Sequence, residues 1–186
     1  MNKIWFTSDL HFGHDKEFLY GPRGFKTIGE HDRMIIANWN EIVAPDDEVY
    51  ILGDLMLGSD EYGINCLSHL NGKLHIIFGN HDESHRRRLY FLELENASYP
   101  IAFAEKLKYQ KYEFFLSHYP TLVHPKLDNK KIWNLHGHTH SKDKFSEYPH
   151  CYNVALDAHD NRPVSIDEII EDIRNFNNNN INKEEN

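Results

Sequence analysis

The chain has 186 residues, of which 40% are hydrophobic and 13% aromatic, enough to bury the core of one domain and too apolar for overall disorder. A formal charge of −9 disfavours non-specific nucleic-acid binding, which normally uses a basic surface. Cys66 and Cys151 lie far apart and outside any CxxC pair, which argues against a zinc ribbon or disulfide scaffold and for a reducing cytoplasm. No apolar stretch reaches membrane-spanning length, and Lys3 leads into a strand rather than a signal peptide, so a soluble, cytoplasmic protein is expected.

A first strand is predicted over residues 3–8, followed by a loop over 11–29 with a turn at Gly21-Pro22-Arg23-Gly24. A helix follows, with Thr27 and Glu30 spaced as a capping box, Ile35, Trp39 and Ile42 on one face, and Pro45 ending it. A strand over 48–52 precedes a helix over 60–70 started by Ser59, and Asn71-Gly72 turns into a third strand over 73–78. A helix over 83–93 carries Arg86-Arg87-Arg88, which do not share a face and read as solvated surface first and as a phosphate-facing patch second. Strands over 99–104 and 112–117 are expected to pair across a short polar connection at 107–111. Further strands over 131–136 and 151–156 precede a last helix opened by Ser165-x-x-Glu168. One domain over 1–176 is expected, with an Asn-rich, frayed tail over 177–186.

Five polar clusters each follow one of these apolar runs. They are Asp9-Leu10-His11, Gly53-Asp54, Gly79-Asn80-His81-Asp82, Ser117-His118 and Gly137-His138-Thr139-His140. Ligands collect beyond the carboxyl ends of strands in sheets covered by helices, so the sequence delivers Asp, His, Asn and Gly to one rim. Glycine suits a tight turn at a strand end, and an i, i+2 histidine pair in extended chain points both rings one way. The pattern reads as a metal site, and the spacing does not fit a His-x₃₋₅-His zinc site. Five of the fourteen histidines fall in the clusters. The other nine read as surface or core residues, with His14 and His124 the best-placed exceptions.

The order D-x-H, G-D, G-N-H-D, H and G-H-x-H resembles the calcineurin-like metallophosphoesterase superfamily, over residues 9–140. The resemblance implies an α/β fold, a four-layer sandwich of two mixed sheets flanked by helices. It also implies a dinuclear site in which Asp9, His11 and His140 hold one divalent ion, Asn80, His118 and His138 hold the other, and Asp54 bridges them. Mixed nitrogen and oxygen ligands suit Mn²⁺ first, then Fe or Zn²⁺, over Ca²⁺ and Mg²⁺. A hydroxide bridging the ions would attack phosphorus in line, with His81 facing the substrate and protonating the departing oxygen. Asp82 either orients His81 or stabilises its turn, and the structural role is favoured.

Protein phosphatases of the superfamily resemble G-D-x-x-D-R-G at the second cluster, whereas this chain continues Leu55-Met56-Leu57-Gly58. The missing acid and arginine disfavour a protein phosphatase and favour small phosphodiesters over monoesters. The loop 12–25, with Arg23, is the expected substrate-facing wall. Two alternatives stand beside this reading. One is a nuclease of the same superfamily, against which the acidic charge counts. The other is a metal-stabilised interaction scaffold without turnover, against which His81 counts.

Overall fold

The computed structural model describes residues 2–82, 94–122 and 132–184. The helix expected over 83–93, with its arginines and His85, and His124 all lie outside them. Strands β1 (Ile4–Thr7), β2 (Glu48–Leu52), β3 (Lys73–Ile77) and β4 (Ala97–Ala102) run parallel, and β9 (Val164–Ser165) pairs antiparallel with β1. The order is β4-β3-β2-β1-β9. A second sheet, in the order β5-β6-β7-β8, consists of β5 (Ala104–Tyr109), β6 (Tyr112–Ser117), β7 (Ile132–His136) and β8 (Cys151–Asn153). There β5 is antiparallel to β6, and the other two pairings are parallel.

The central strands are apolar on both faces, which is why they read as continuous hydrophobic runs. Trp5, Val49, Ile51, Leu74 and Ile76 face one core, with Ile35 and Trp39 of helix α2 (Ile28–Ile42) and Leu67 of α3 (Asp60–Ser68). Here α1 is the short helical turn Glu17–Tyr20. Phe6, Tyr50, Leu52 and Ile77 face a second core, where they meet Phe114, Leu116, Trp133, Leu135 and Tyr152 of the second sheet. Ile169, Ile170 and Ile173 of helix α4 (Ile166–Glu184) complete that core. The result is the expected α/β architecture of two mixed sheets flanked by helices.

Helix starts follow the capping chemistry. The Thr27 hydroxyl accepts from Glu30 N, but the Glu30 carboxylate reaches Lys26 N, one residue short of a reciprocal box. Ser165 and Glu168 do form the reciprocal pair.

Three expectations need correction. The strand that pairs with β6 is β5, so most of the supposed connection 107–111 is itself strand and the turn is Gln110-Lys111. The segment before it, β4, joins the other sheet beside β3. An edge strand with one wet face alternates polar and apolar residues, and lysines protect such edges, so Ala104–Tyr109 looks like a connection. The strand at 151–156 ends at Asn153, whose side chain accepts from Ala155 N and turns the chain. Helix α4 continues through the asparagine run to Glu184 rather than fraying at 177. Once nucleated, a helix passes through asparagines at a modest cost per residue.

Candidate metal centre

The five clusters meet where the carboxyl ends of the two sheets adjoin. Asp9 N donates to Gly53 O and His11 N to Asp54 O, each at 2.9 Å, which lays the first loop along the second. The second sheet is tied in through its site residues. His138 N donates to Asp9 Oδ2 at 2.9 Å, and His118 Nδ1 lies 2.8 Å from Leu52 O. With its Nδ1 proton on that carbonyl, His118 turns the Nε2 lone pair into the site, the usual arrangement of a ligating histidine.

Two glycines show why the loops come this close. A Cβ on Gly79 would stand 2.2 Å from Asp54 Oδ1, and one on Gly137 would stand 2.3 Å from Asp9 Oδ2. Their role is close approach rather than the special turn dihedral expected for Gly79. The unusual dihedrals fall on the polar residues instead. Asp9, His11, Asp54, His138 and His140 all have φ between 49° and 68°. Such conformations cost about 1–3 kcal/mol each and persist where surrounding structure holds them, typically at functional sites. His138 and His140 are therefore not an extended pair. Thr139 N closes a turn on Gly137 O, and the two rings part. His138 Nδ1 lies 3.2 Å from His118 Nε2, whereas His140 Nε2 lies 3.3 Å from His11 Nε2.

All seven expected ligands come together. Asp9 Oδ1 is 3.8 Å from His11 Nε2 and 3.6 Å from His140 Nε2. Asp54 Oδ2 is 3.6 Å from both His11 Nε2 and His118 Nε2, and Asn80 Oδ1 is 2.9 Å from His118 Nε2. Among the described residues, Asp9, His11 and His140 form one group able to hold a cation, and Asp9, Asp54 and His118 another.

The carboxylates show that a metal fits this donor set. Asp9 Oδ2 accepts from Ser8 Oγ and His138 N, whereas Asp9 Oδ1, fully buried, has no hydrogen-bond partner. A buried acceptor in that condition is costly unless something electropositive meets it. Asp54 is used in the same way, with Oδ1 accepting from His81 N at 3.0 Å and Oδ2 left facing the imidazoles. Burial, then the neighbouring His140 and Arg23, lowers the His11 pKa to about 2, so its ring is neutral and offers a lone pair. Burial lowers the His138 pKa as well, with His118 beside it as the next cause. For His140 the direction is upward, because its Nδ1 proton is held by Asp157 at 3.2 Å.

Asp9, Asp54, His11 and His118 form a buried floor, while Asn80, His138 and His140 lie on the exposed rim. His81 also lies toward solvent, its side chain 39% exposed and its Nε2 3.9 Å from Asp54 Oδ2. Asp82 is wholly buried below it and accepts from Asp54 N, Leu55 N and Gly79 N. Burial drives its carboxyl up to about 7 despite those three donors. Its observed work is structural, joining the second and third loops.

Arg23 does not line a substrate wall. Its guanidinium turns inward and forms a two-pronged pair with Asp157, at 3.0 and 2.7 Å. His14 stays near the site, its ring 5.3 Å from that of His11 and edge-on to Phe18. The sequence reading missed Asp157. A signal was available, since 151–157 is another apolar run ending in an acid.

The model of the family described as calcineurin-like phosphoesterase matches residues 2–184. The chain is 33% identical over 181 residues to Uncharacterized protein MJ1445 of Methanocaldococcus jannaschii, covering 91% of this chain and 90% of that protein. It is 32% identical over 194 residues to the Gene 66 protein of Mycobacterium phage L5, covering 91% and 93%. The crystal structure of AQ665 from Aquifex aeolicus, a protein of unknown function, shares the fold with a TM-score of 0.67 at 20% identity, covering 92% of this chain and 99% of that one. The chain belongs to the calcineurin-like phosphoesterase family and is a metal-dependent phosphoester hydrolase.

If Asp82 is a fastener between loops, Asp82→Ala should destabilise the metal-free protein by about 3 kcal/mol or more, since three buried amides lose their acceptor at about 1–3 kcal/mol each. Urea denaturation measures this. Unchanged stability with a lowered turnover rate would instead make Asp82 a partner of His81 in catalysis.

Proposed function

We propose that this protein is a dinuclear phosphoesterase acting on small phosphodiesters. The observation that carries this reading is the place of Asp54 Oδ2, 3.6 Å from an imidazole nitrogen on either side. Asp9, His11 and His140 would hold one ion and Asn80, His118 and His138 the other, with Asp54 shared. The mixed imidazole, carboxylate and amide donors suit Mn²⁺, and Fe or Zn²⁺ next. When bound, such ions supply Lewis acidity toward phosphoryl oxygens and acidify water enough for it to attack at neutral pH.

The remaining work falls to the chain. The buried floor holds its carboxylates by backbone and hydroxyl donors, so one oxygen of each stays directed at the site. His81 is fixed by its own N–H on Asp54, while its ring stays half-open to solvent on the side a substrate can reach. That placement suits proton donation from the imidazole to the departing ester oxygen.

Two observations favour a diester. Leu57 and Gly58 stand where the G-D-x-x-D-R-G pattern has its acid and arginine, and the Arg23 guanidinium is committed to Asp157. Neither position therefore offers the cation that the second negative charge of a monoester would call for. The charge of −9 sets a small substrate above a nucleic acid. Cys66 and Cys151 are buried free thiols, which fits a reducing cytoplasm. No helix among the described residues is long and apolar enough to cross a membrane.

His81→Ala should retain both ions, because the imidazole is not a ligand here, and should lose about 10²–10⁴-fold in rate on alkyl or nucleotide esters. The loss should be smaller on nitrophenyl esters, whose leaving group needs little protonation. Rates on both ester types and metal content by elemental analysis test this. Loss of metal in step with rate would make His81 a ligand, and an unchanged rate on both would remove the general-acid role. With Mn²⁺, bis(p-nitrophenyl) phosphate should turn over faster than p-nitrophenyl phosphate. The opposite ranking would make the protein a phosphomonoesterase.

A further inference from the structure

Arg23 sits at the centre of a buried polar network behind the metal centre. Its side chain is 1% exposed, and each of its three nitrogens is engaged. Nε donates to Asp157 Oδ1 at 3.0 Å, and Nη2 donates to Asp157 Oδ2 at 2.7 Å and to the Asp9 carbonyl at 2.8 Å. Nη1 lies 3.0 Å from His31 Nε2. A guanidinium only donates, so His31 accepts at Nε2 and carries its proton on Nδ1, 2.7 Å from Asp32 Oδ1. The other oxygen of Asp32 accepts from Gly13 N at 3.0 Å.

We infer that Arg23 and Asp157 are positioning residues that set the affinity of one ion selectively, the ion held by Asp9, His11 and His140. The inference rests on the dinuclear reading above. The network reaches each of those three ligands by a separate route. Asp157 Oδ2 accepts a hydrogen bond from His140 Nδ1, which turns that ring's Nε2 toward Asp9 Oδ1 and His11 Nε2. Arg23 grips the Asp9 carbonyl and so helps to hold that residue at its positive φ of 58°. Through His31 and Asp32 the network ends on Gly13 N, in the tight loop two residues beyond His11. Neither Arg23 nor Asp157 contacts the ligands of the other ion directly; His118 is oriented by the Leu52 carbonyl, and the His138 N–H rests on Asp9 Oδ2.

The chemistry explains why a charged pair is buried here. A carboxylate that accepts from a ligating imidazole strengthens it as a donor, and loss of such a partner typically costs about 10–100-fold in metal affinity. A carboxylate as dry as that of Asp157 needs a countercharge, which the forked guanidinium supplies in a geometry lysine cannot match.

The test is calorimetric titration of the metal-free protein with Mn²⁺. Variants His140→Ala and His118→Ala identify the two binding steps by removing one each. Asp157→Asn should then weaken the His140-dependent step about 10–100-fold and leave the His118-dependent step unchanged. Because Asp157→Asn strands a buried guanidinium, the paired variant Arg23→Met/Asp157→Asn is titrated beside it, with circular dichroism to confirm folding. The same selective loss is expected there. Both steps unchanged, or both weakened alike, would overturn the inference, as would failure of both variants to fold, which would make the pair a folding element. The wild-type titration judges the dinuclear reading by itself. A wild-type stoichiometry of one ion would sink that reading, while weakening of that one site by Asp157→Asn would still show that the pair tunes the ion held by Asp9, His11 and His140.

Discussion

Two carboxylates buried side by side where the sheets adjoin are the constraint on which this structure turns. Asp9 and Asp54 are essentially inaccessible, and each contributes an oxygen to one cluster of atoms lying within 4.8 Å of one another. Like charges so close and so dry repel unless donors or cations lie around them. The chain answers half of that demand itself. Ser8, His138 and His81 donate to one oxygen of each acid. The other half, Asp9 Oδ1 and Asp54 Oδ2, is directed at the imidazoles of His11, His118 and His140 and calls for a divalent metal.

The rest of the local architecture follows from holding those acids in place. Gly79 and Gly137 lack side chains because the loops press directly on Asp54 and Asp9. The left-handed dihedrals at Asp9, His11, Asp54 and His138 coincide with hydrogen bonds that tie their amides to a neighbouring loop. Asp82 joins two of the loops from beneath, and Arg23 braces a third from behind. The site is thus stiff at its floor and open at its rim, where His81, His138 and Thr139 meet solvent. That division suits an enzyme whose ions must be fixed while substrates come and go.

What was legible in the sequence was whatever is encoded locally. Each of the seven clustered side chains sits in a loop directly after an apolar run, so strand prediction and residue chemistry together locate it. The caps at Thr27, Ser59 and Ser165 are equally local. What stayed hidden depends on partners distant in the chain. Asp157 acquires its role only from Arg23, 134 positions away, and from His140. For the same reason Arg23 read as part of a substrate-facing wall although it is buried. The strand β5 was disguised by lysines on its wet face, and the pairing of β4 with β3 is a tertiary choice that no local pattern records. Asn177–Asn180 misled for another reason, since composition argues for fraying while helix propagation argues against it.

The claim that two ions share Asp54 is tested most directly by anomalous diffraction from crystals of the protein soaked in Mn²⁺. Two anomalous peaks are expected to flank Asp54 Oδ2, one among Asp9, His11 and His140 and one among Asn80, His118 and His138. A single peak, or a second peak bound away from Asp54, would contradict it.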